Sequence, residues 1–346
     1  MTVIELMKYV VEQKCSDLHL SSGEKPIVRR SGDLFRLDHA VLSNDDVKKM
    51  LQSITTDAQF AVLEKEFELD FSYAIENVSR FRINAFYQSR GLSASFRTLS
   101  YKIPSLDEIQ LTDPIFKTAC AYPNGLVLIT GPTGSGKSTT LASLIDYINH
   151  LDDSREHIIT IEDPIEYIFQ SNTCLIQQRE VGKDTKAFQN ALRAALREDP
   201  DVIMIGEMRD LETIRLALTA AETGHLVFGT LHTSSASHAI DRIIDVFPGN
   251  EKDMIRAMLA ESLRVVIAQR LLKTPAGGVI PAHEILMCTS AVRNLIREHK
   301  IAQMYSVMQT GRQHGMHTMD QHIAELLEKK KVIASEQGQM EHGEEK

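Results

Sequence analysis

At 346 residues, 43% hydrophobic and 25% charged, the chain has enough material for two domains, each with its own core. Its formal net charge of −9 argues against a general nucleic-acid coat, and so against a helicase, while leaving room for a local basic stripe. No run approaches the roughly 18 consecutive apolar residues of a membrane span. The four cysteines, Cys15, Cys120, Cys174 and Cys288, stand too far apart for structural zinc or a disulfide framework, which fits a reducing cytosol.

In chain order, residues 1–20 read as an amphipathic helix with Ile4, Leu6, Met7, Val10 and Val11 on or near one face, and without the basic start and apolar centre of a secretory signal. SDLHLSSG and KPIVRRSGDLFRL alternate and read as strands around turns. Residues 44–66 read as one or two helices capped by Ser43 or Asn44. FELDFSYAI and SRFRINAFYQSRGLSASFRTL alternate again, as a β-meander does. Together these predict a mixed α/β domain over 1–98. A connector follows at 99–112, where Pro104 opposes a helix, and 113–124 reads as a helix ended by Pro123 and Asn124.

From there strands alternate with helices: GLVLIT (125–130), a helix over 141–150, HIITIED (157–163), CLIQQREV (174–181), a helix over 185–199, DVIMIGE (201–207), a helix over 211–224, and HLVFGTLH (225–232). That order predicts a largely parallel sheet with helices on its faces, in a second domain spanning 113–346. Beyond about 250 the pattern turns mostly helical, with MIRAMLAESLRVVIAQRLL the clearest helix and GGVIPAHEILM a strand or hairpin. The polar tail from about 335 lacks periodicity and reads as disordered.

The chemistry is concentrated in GPTGSGKSTT (131–140), which lies between a strand and a helix. Gly131, Gly136, Lys137 and Ser138 satisfy the phosphate-loop pattern without a mismatch. Glycines at 131, 134 and 136 let successive N–H groups curl inward. The helix that follows offers unpaired donors to an anion, Lys137 can reach the β- and γ-phosphates, and the Ser138 hydroxyl can ligate Mg²⁺. VIMIGE delivers Glu207 at the carboxyl end of a buried strand, where it can act on Mg²⁺ through water or polarise an attacking water. IEDPIEY gathers Glu162, Asp163 and Glu166 at another strand end, as either a solvated acidic turn or carboxylates facing a cation. His225 and His232 flank one strand, and a separation of seven residues places them on opposite faces of a regular strand, which argues against a zinc pair and leaves each as a structural or exposed histidine or as a contact to phosphate or an acid. Arg80, Arg82, Arg90 and Arg97 recur in the first domain, as a solvated face or as phosphate contacts, with Arg193, Arg197 and Arg209 as competitors.

GPTGSGKSTT, IITIEDPIEY, ALREDPDVIMIGEMRDLETI and AETGHLVFGTLHT together resemble the Walker A, Asp box, Walker B and His box of the secretion ATPase superfamily, whose members power type II secretion, type IV secretion and type IV pili. FRINAFYQSRG and AVRNLIREHK extend the likeness to nearly the whole chain. With GEMRDLET and no tetracysteine motif, the chain is most similar to the pilus-retraction branch. The resemblance implies a PAS-like first domain and a RecA-like second domain with ATP lying between them. It implies a hexameric ring in the cytoplasm at the inner-membrane base of a pilus machine, acting on a PilC-like platform protein, with a PilU-like paralogue as an accessory and no nucleic acid as partner. The cradle would be Gly131, Pro132, Thr133, Gly134, Ser135, Gly136, Lys137, Ser138 and Thr139, holding ATP and Mg²⁺. Glu166 or its neighbours Glu162 and Asp163 would activate water, and Glu207 would support the metal shell. His225 and His232 would sense the γ-phosphate, and Arg82 and Arg97 would contact phosphate. The alternatives are an accessory pilus ATPase, a secretion ATPase that exports protein, and a non-motor NTP switch or nucleic-acid translocase, the last opposed by the net charge.

Overall fold

The computed structural model describes all residues except 31, 77, 100, 101 and 334–346, so the expected disordered tail lies outside the described residues. The chain divides into two compact units: Met1–Lys102 with Glu166–Ile168, and Ile103–Ile165 with Phe169–Lys346.

The first unit opens with α1 (Val3–Glu12), closed at its start by a capping box between Thr2 and Glu5. The amphipathic stretch is therefore shorter than its apolar pattern implies. Strands β1 (Asp17–Ser21), β2 (Ile27–Arg30) and β3 (Asp33–Arg36) follow. Two helices, α2 (Asn44–Gln52) and α3 (Asp57–Glu66), carry caps at Ser43 and Thr56, which settles the count for 44–66. The meander is β4 (Glu68–Ile75), β5 (Ser79–Gln88) and β6 (Gly91–Leu99). These six strands form one sheet in the order β3-β2-β1-β6-β5-β4, antiparallel in every registered pair. Leu6, Met7, Leu18, Leu20, Leu51, Leu63, Phe81 and Phe96 are fully buried in one cluster, each contributing about 1.5–3 kcal/mol.

The second unit runs α4 (Pro114–Cys120), β7 (Gly125–Thr130), α5 (Lys137–Asn149), β8 (His157–Glu162), β9 (Leu175–Glu180), α6 (Phe188–Ala195), β10 (Val202–Ile205), α7 (Leu211–Glu222), β11 (Leu226–Leu231), α8 (Ala236–Asp245), α9 (Lys252–Ser262), β12 (Leu263–Lys273), β13 (Val279–Met287), α10 (Ser290–Arg297), α11 (Met304–Thr310) and α12 (Met319–Glu328). Its seven strands lie in the order β13-β12-β7-β11-β10-β8-β9. All adjacent pairs are parallel except the β12–β13 hairpin at one edge. Every residue of β7, β10 and β11 is buried, as expected of a parallel sheet covered on both faces.

One expected element is corrected. The run MIRAMLAESLRVVIAQRLL is not a single helix: it ends as helix at Ser262, and Leu263 takes an extended backbone to begin β12. Length and hydrophobicity do not separate a buried strand from a buried helix, and the branched trio Val265, Val266 and Ile267 tips this stretch toward the sheet. The four cysteines are free and buried.

Candidate functional site

Because the strands of the second unit are parallel, their carboxyl ends share one edge of the sheet, where ligands bind in such folds. The phosphate loop follows β7 on that edge. Gly131, Gly134 and Gly136 take φ values of +150°, +79° and +86°, which favour glycine. Pro132, Thr133, Gly134 and Ser138 are exposed along the loop's open side, Ser135 is buried and Thr139 half-buried. Lys137 is 8% exposed, and its Nζ donates to the carbonyls of Gly131 and Pro132 at 2.8 and 3.0 Å. The ammonium is thus already folded over the loop.

Gly131 shows how tightly the loop is built. A Cβ placed there would lie 2.4 Å from the Gln269 carbonyl oxygen and 2.5 Å from Ser135 Oγ. The first of these is main chain and cannot rotate away. Gly131→Ala is expected to cost about 2–4 kcal/mol. A melting temperature within about 2 °C of the parent, under about 1 kcal/mol in a unit of this size, would show that the loop can relax.

Between β7 and β10 lies only β11, so the phosphate loop and Glu207 are separated by two strand spacings, about 10 Å. The segment after β11 is tied to β7: Thr130 Oγ1 accepts from Thr233 N–H at 3.1 Å and lies 2.6 Å from the Thr233 carbonyl. That tie holds His232 in the gap, where its Nε2 is 3.1 Å from Glu207 Oε1. Arg209 Nε approaches the same carboxylate oxygen at 2.5 Å. Glu207, with Asp163 adding to the effect, raises the Arg209 guanidinium above its usual value. The Arg209 side chain is mostly exposed, so this pair orients Glu207 more than it stabilises the fold.

Glu162 ends β8, buried, and accepts from Thr160 Oγ1 at 2.6 Å and Gln178 Nε2 at 3.1 Å. Asp163 is exposed, and the chain turns there through a cis Asp163–Pro164 peptide. Glu180, at the end of β9, closes this turn by accepting the N–H of Ile165 at 3.1 Å. Glu166 belongs to the Glu166–Ile168 segment grouped with the first unit.

His225 is not brought to this edge within the chain. It precedes β11, with Nδ1 3.0 Å from the Ala220 carbonyl and its own carbonyl accepting Gly125 N–H at the start of β7. A six-residue strand, about 20 Å long, separates it from the phosphate loop. Among the arginines, Arg80 is buried with its NH2 group 2.6 Å from Ser72 Oγ. Arg90 pairs with Glu24 and Arg193 with Glu212. Arg82 and Arg97 are exposed and face each other across β5 and β6, with Arg97 Nε 3.1 Å from Asp17 Oδ1.

The residues that sequence reasoning missed are Gln269 on β12 and the supports Gln178 and Glu180 on β9. A cleft of about 240 Å³ beside the loop is lined by Ile109, Gln110, Thr139, Leu271, Val279 and Pro281, apolar enough for a flat ring and next to the end of the phosphate cradle.

The family model "Type II/IV secretion system protein" matches residues 2–345. The chain belongs to this family. Secretion-family relatives include the type IV pilus retraction ATPase PilT of Pseudomonas aeruginosa, 53% identical over 329 residues covering 95% of each chain. A twitching motility protein of Neisseria gonorrhoeae is 54% identical over 321 residues, covering 91% of this chain and 85% of its own. Among solved structures, the crystal structure of the pilus retraction motor PilT with bound ADP superposes with a TM-score of 0.90 at 46% identity, covering 97% of this chain and 95% of that one. The two-sheet architecture is therefore the secretion-family fold.

Proposed function

We propose that this chain is an ATPase motor that drives retraction of type IV pili. The end-to-end match to a retraction ATPase, on a chain whose phosphate loop and Glu207–His232–Arg209 group share one sheet edge, carries that reading. Lys137 exchanges its two neutral carbonyl partners for phosphate oxygens when ATP arrives, a stronger, charge-assisted pairing. The N–H groups from Gly134 to Thr139 cradle the phosphates, and the base lies in the cleft between Ile109 and Leu271.

Mg²⁺ fits the residues present. Among the described residues no group of three acidic, histidine or cysteine side chains is spaced to cage a metal, and a magnesium ion held by nucleotide phosphates needs none. The exposed Ser138 hydroxyl would hold it directly, and Glu207 through water. The ion, when bound, neutralises phosphate charge. Glu166, with Glu162 and Asp163, activates the attacking water, and His232 reports the γ-phosphate to Glu207. Arg82 and Arg97 act as phosphate contacts, and Arg209 holds Glu207 in position.

In this reading the protein works as a homo-hexamer in the cytoplasm, peripheral to the inner membrane, against a PilC-like platform and beside a PilU-like paralogue. Turnover swings the first unit about the 99–112 connector, and the ring converts these swings into pilin withdrawal. Among the described residues no helix is long and apolar enough to cross a membrane. Deletion of the gene, followed by imaging of labelled pili, tests the direction of the motor. Filaments should extend and fail to withdraw. Normal withdrawal with a lost secreted protein would overturn retraction in favour of export.

A further inference from the structure

Gln269 stands on β12 directly opposite His283 on β13 and beside the loop that follows β7. It is 2% exposed, and its side chain makes three contacts that sequence distance hides. One end lies 2.6 Å from the Ser135 carbonyl oxygen, which can only accept, so that end must be the amide nitrogen Nε2. The other end, Oε1, accepts from Thr140 Oγ1 at 2.8 Å and from His283 Nε2–H at 3.2 Å. The main chain at Gln269 also abuts the start of the loop, where its carbonyl oxygen forbids a Cβ at Gly131. A Cβ at Gly136 would lie 2.9 Å from Gln269 Nε2. One residue thus fits against both ends of the phosphate loop.

The consequence follows from peptide planarity. In a trans peptide the C=O and the next N–H point in opposite directions. Drawing the Ser135 carbonyl toward Gln269 turns the Gly136 N–H away from β12, to the side where an anion is held. We propose that Gln269 is a positioning residue that sets the phosphate loop in its anion-binding form, with His283 fixing the orientation of its amide. This rests on the phosphate-loop reading above.

His283 is suited to that task. It is packed edge-on against Phe116 at 5.0 Å and stacked on His322 at 5.6 Å, with His317 behind at 4.9 Å from His322. Burial and the neighbouring imidazoles hold His283 well below the usual histidine value, so it stays neutral. The same forces push His322 to about 4, and burial lowers His317. The trio is not a metal site: His322 Nδ1 accepts the main-chain N–H of His283 at 2.9 Å, which places the His322 proton on Nε2. These three histidines are stacked behind Gln269, and Asp113, Glu325 and Arg312 face His317 and His322 beyond them. Thr140 and Ser135, its other partners, do not titrate in the working range.

The test uses ADP affinity of the full chain between pH 5.5 and 8, each value divided by that of the parent protein at the same pH. Gln269→Glu puts an ionised oxygen against the Ser135 carbonyl at pH 8, and binding should weaken by about 10–100-fold. Burial raises the pKa of the new carboxyl. At pH 5.5 its O–H can donate to Ser135 as the amide did, and the deficit should shrink to about threefold or less. Gln269→Met keeps the shape without the donor and should bind weakly at every pH. His283→Phe should weaken binding less, again without pH dependence. Gln269→Met that binds like the parent, or Gln269→Glu with a large and equal deficit at both ends of the range, overturns the proposal. If Gln269→Glu does not fold, Gln269→Met decides: parental affinity overturns the proposal. Lys137→Ala separates the two levels. Its retention of full affinity would remove the phosphate-loop reading itself, whereas loss of affinity there beside a silent Gln269→Met removes only the brace.

Discussion

Replacing Lys137 with alanine is expected to weaken ATP and ADP binding by about 10³-fold and to reduce hydrolysis to background. The estimate follows from one unit charge about 4 Å from a phosphate oxygen at an effective dielectric near 20, worth about 4 kcal/mol. The effect should be a binding effect and not a folding one. In the folded chain the Lys137 ammonium bridges two loop carbonyls, one of them on exposed Pro132. The ligand-free melting temperature should therefore change little, while the upward shift produced by saturating ADP should vanish, since that shift depends on the ratio of ligand to Kd. Thermal unfolding with and without ADP measures both. A variant that keeps the ADP-induced shift would mean that Lys137 does not meet phosphate, and the loop would lose its assignment.

The parts of the site that were legible in the sequence are those built from consecutive residues. GPTGSGKS encodes its own backbone form, because glycine placement and the following helix are local properties. VIMIGE was legible for a related reason: four buried strand residues followed by Gly-Glu place Glu207 at the carboxyl edge of the sheet. Relations between strands far apart in sequence were not legible. Nothing in HLVFGTLH tells which histidine reaches the loop edge. The parallel pairing of β11 with β7 and β10 decides it, sending His232 to the carboxyl edge and His225 to the other.

Gln269 was hidden twice. Its segment has the apolar density of a helix, and a glutamine in a strand has no sequence signature of its own. The one usable signal was the branched trio Val265, Val266 and Ile267 next to a strand-like VIPAHEILM, which together describe a hairpin. In the first unit the alternation was strong enough to give all the strands, and the caps at Ser43 and Thr56 divide 44–66 into two helices. The edge positions of the sheet came only from the fold.

Glu207→Gln should separate binding from chemistry. Glutamine keeps the shape of the side chain and an oxygen that can accept from His232 Nε2–H, 3.1 Å away in the parent, but it loses the charge that draws in Arg209. Removing a negative charge near a triphosphate favours ATP, so ATP affinity should hold or rise slightly. A carboxylate that polarises water or orders a metal shell typically contributes 10²–10⁴ in rate, so kcat should fall by about 10²–10³-fold. A single-turnover assay, which isolates the chemical step, should show the same fall, with intact ATP recovered from the protein. The neighbouring acids make the result decisive. Glu162 is buried under Thr160 and Gln178, neutral donors that hold it in one place, whereas Glu207 meets an arginine and a histidine at the rim of the loop edge. If kcat in Glu207→Gln stays within about tenfold of the parent, the charge there is not what the reaction uses. Water activation would then fall to the 161–167 segment, with Glu166 the first residue to replace.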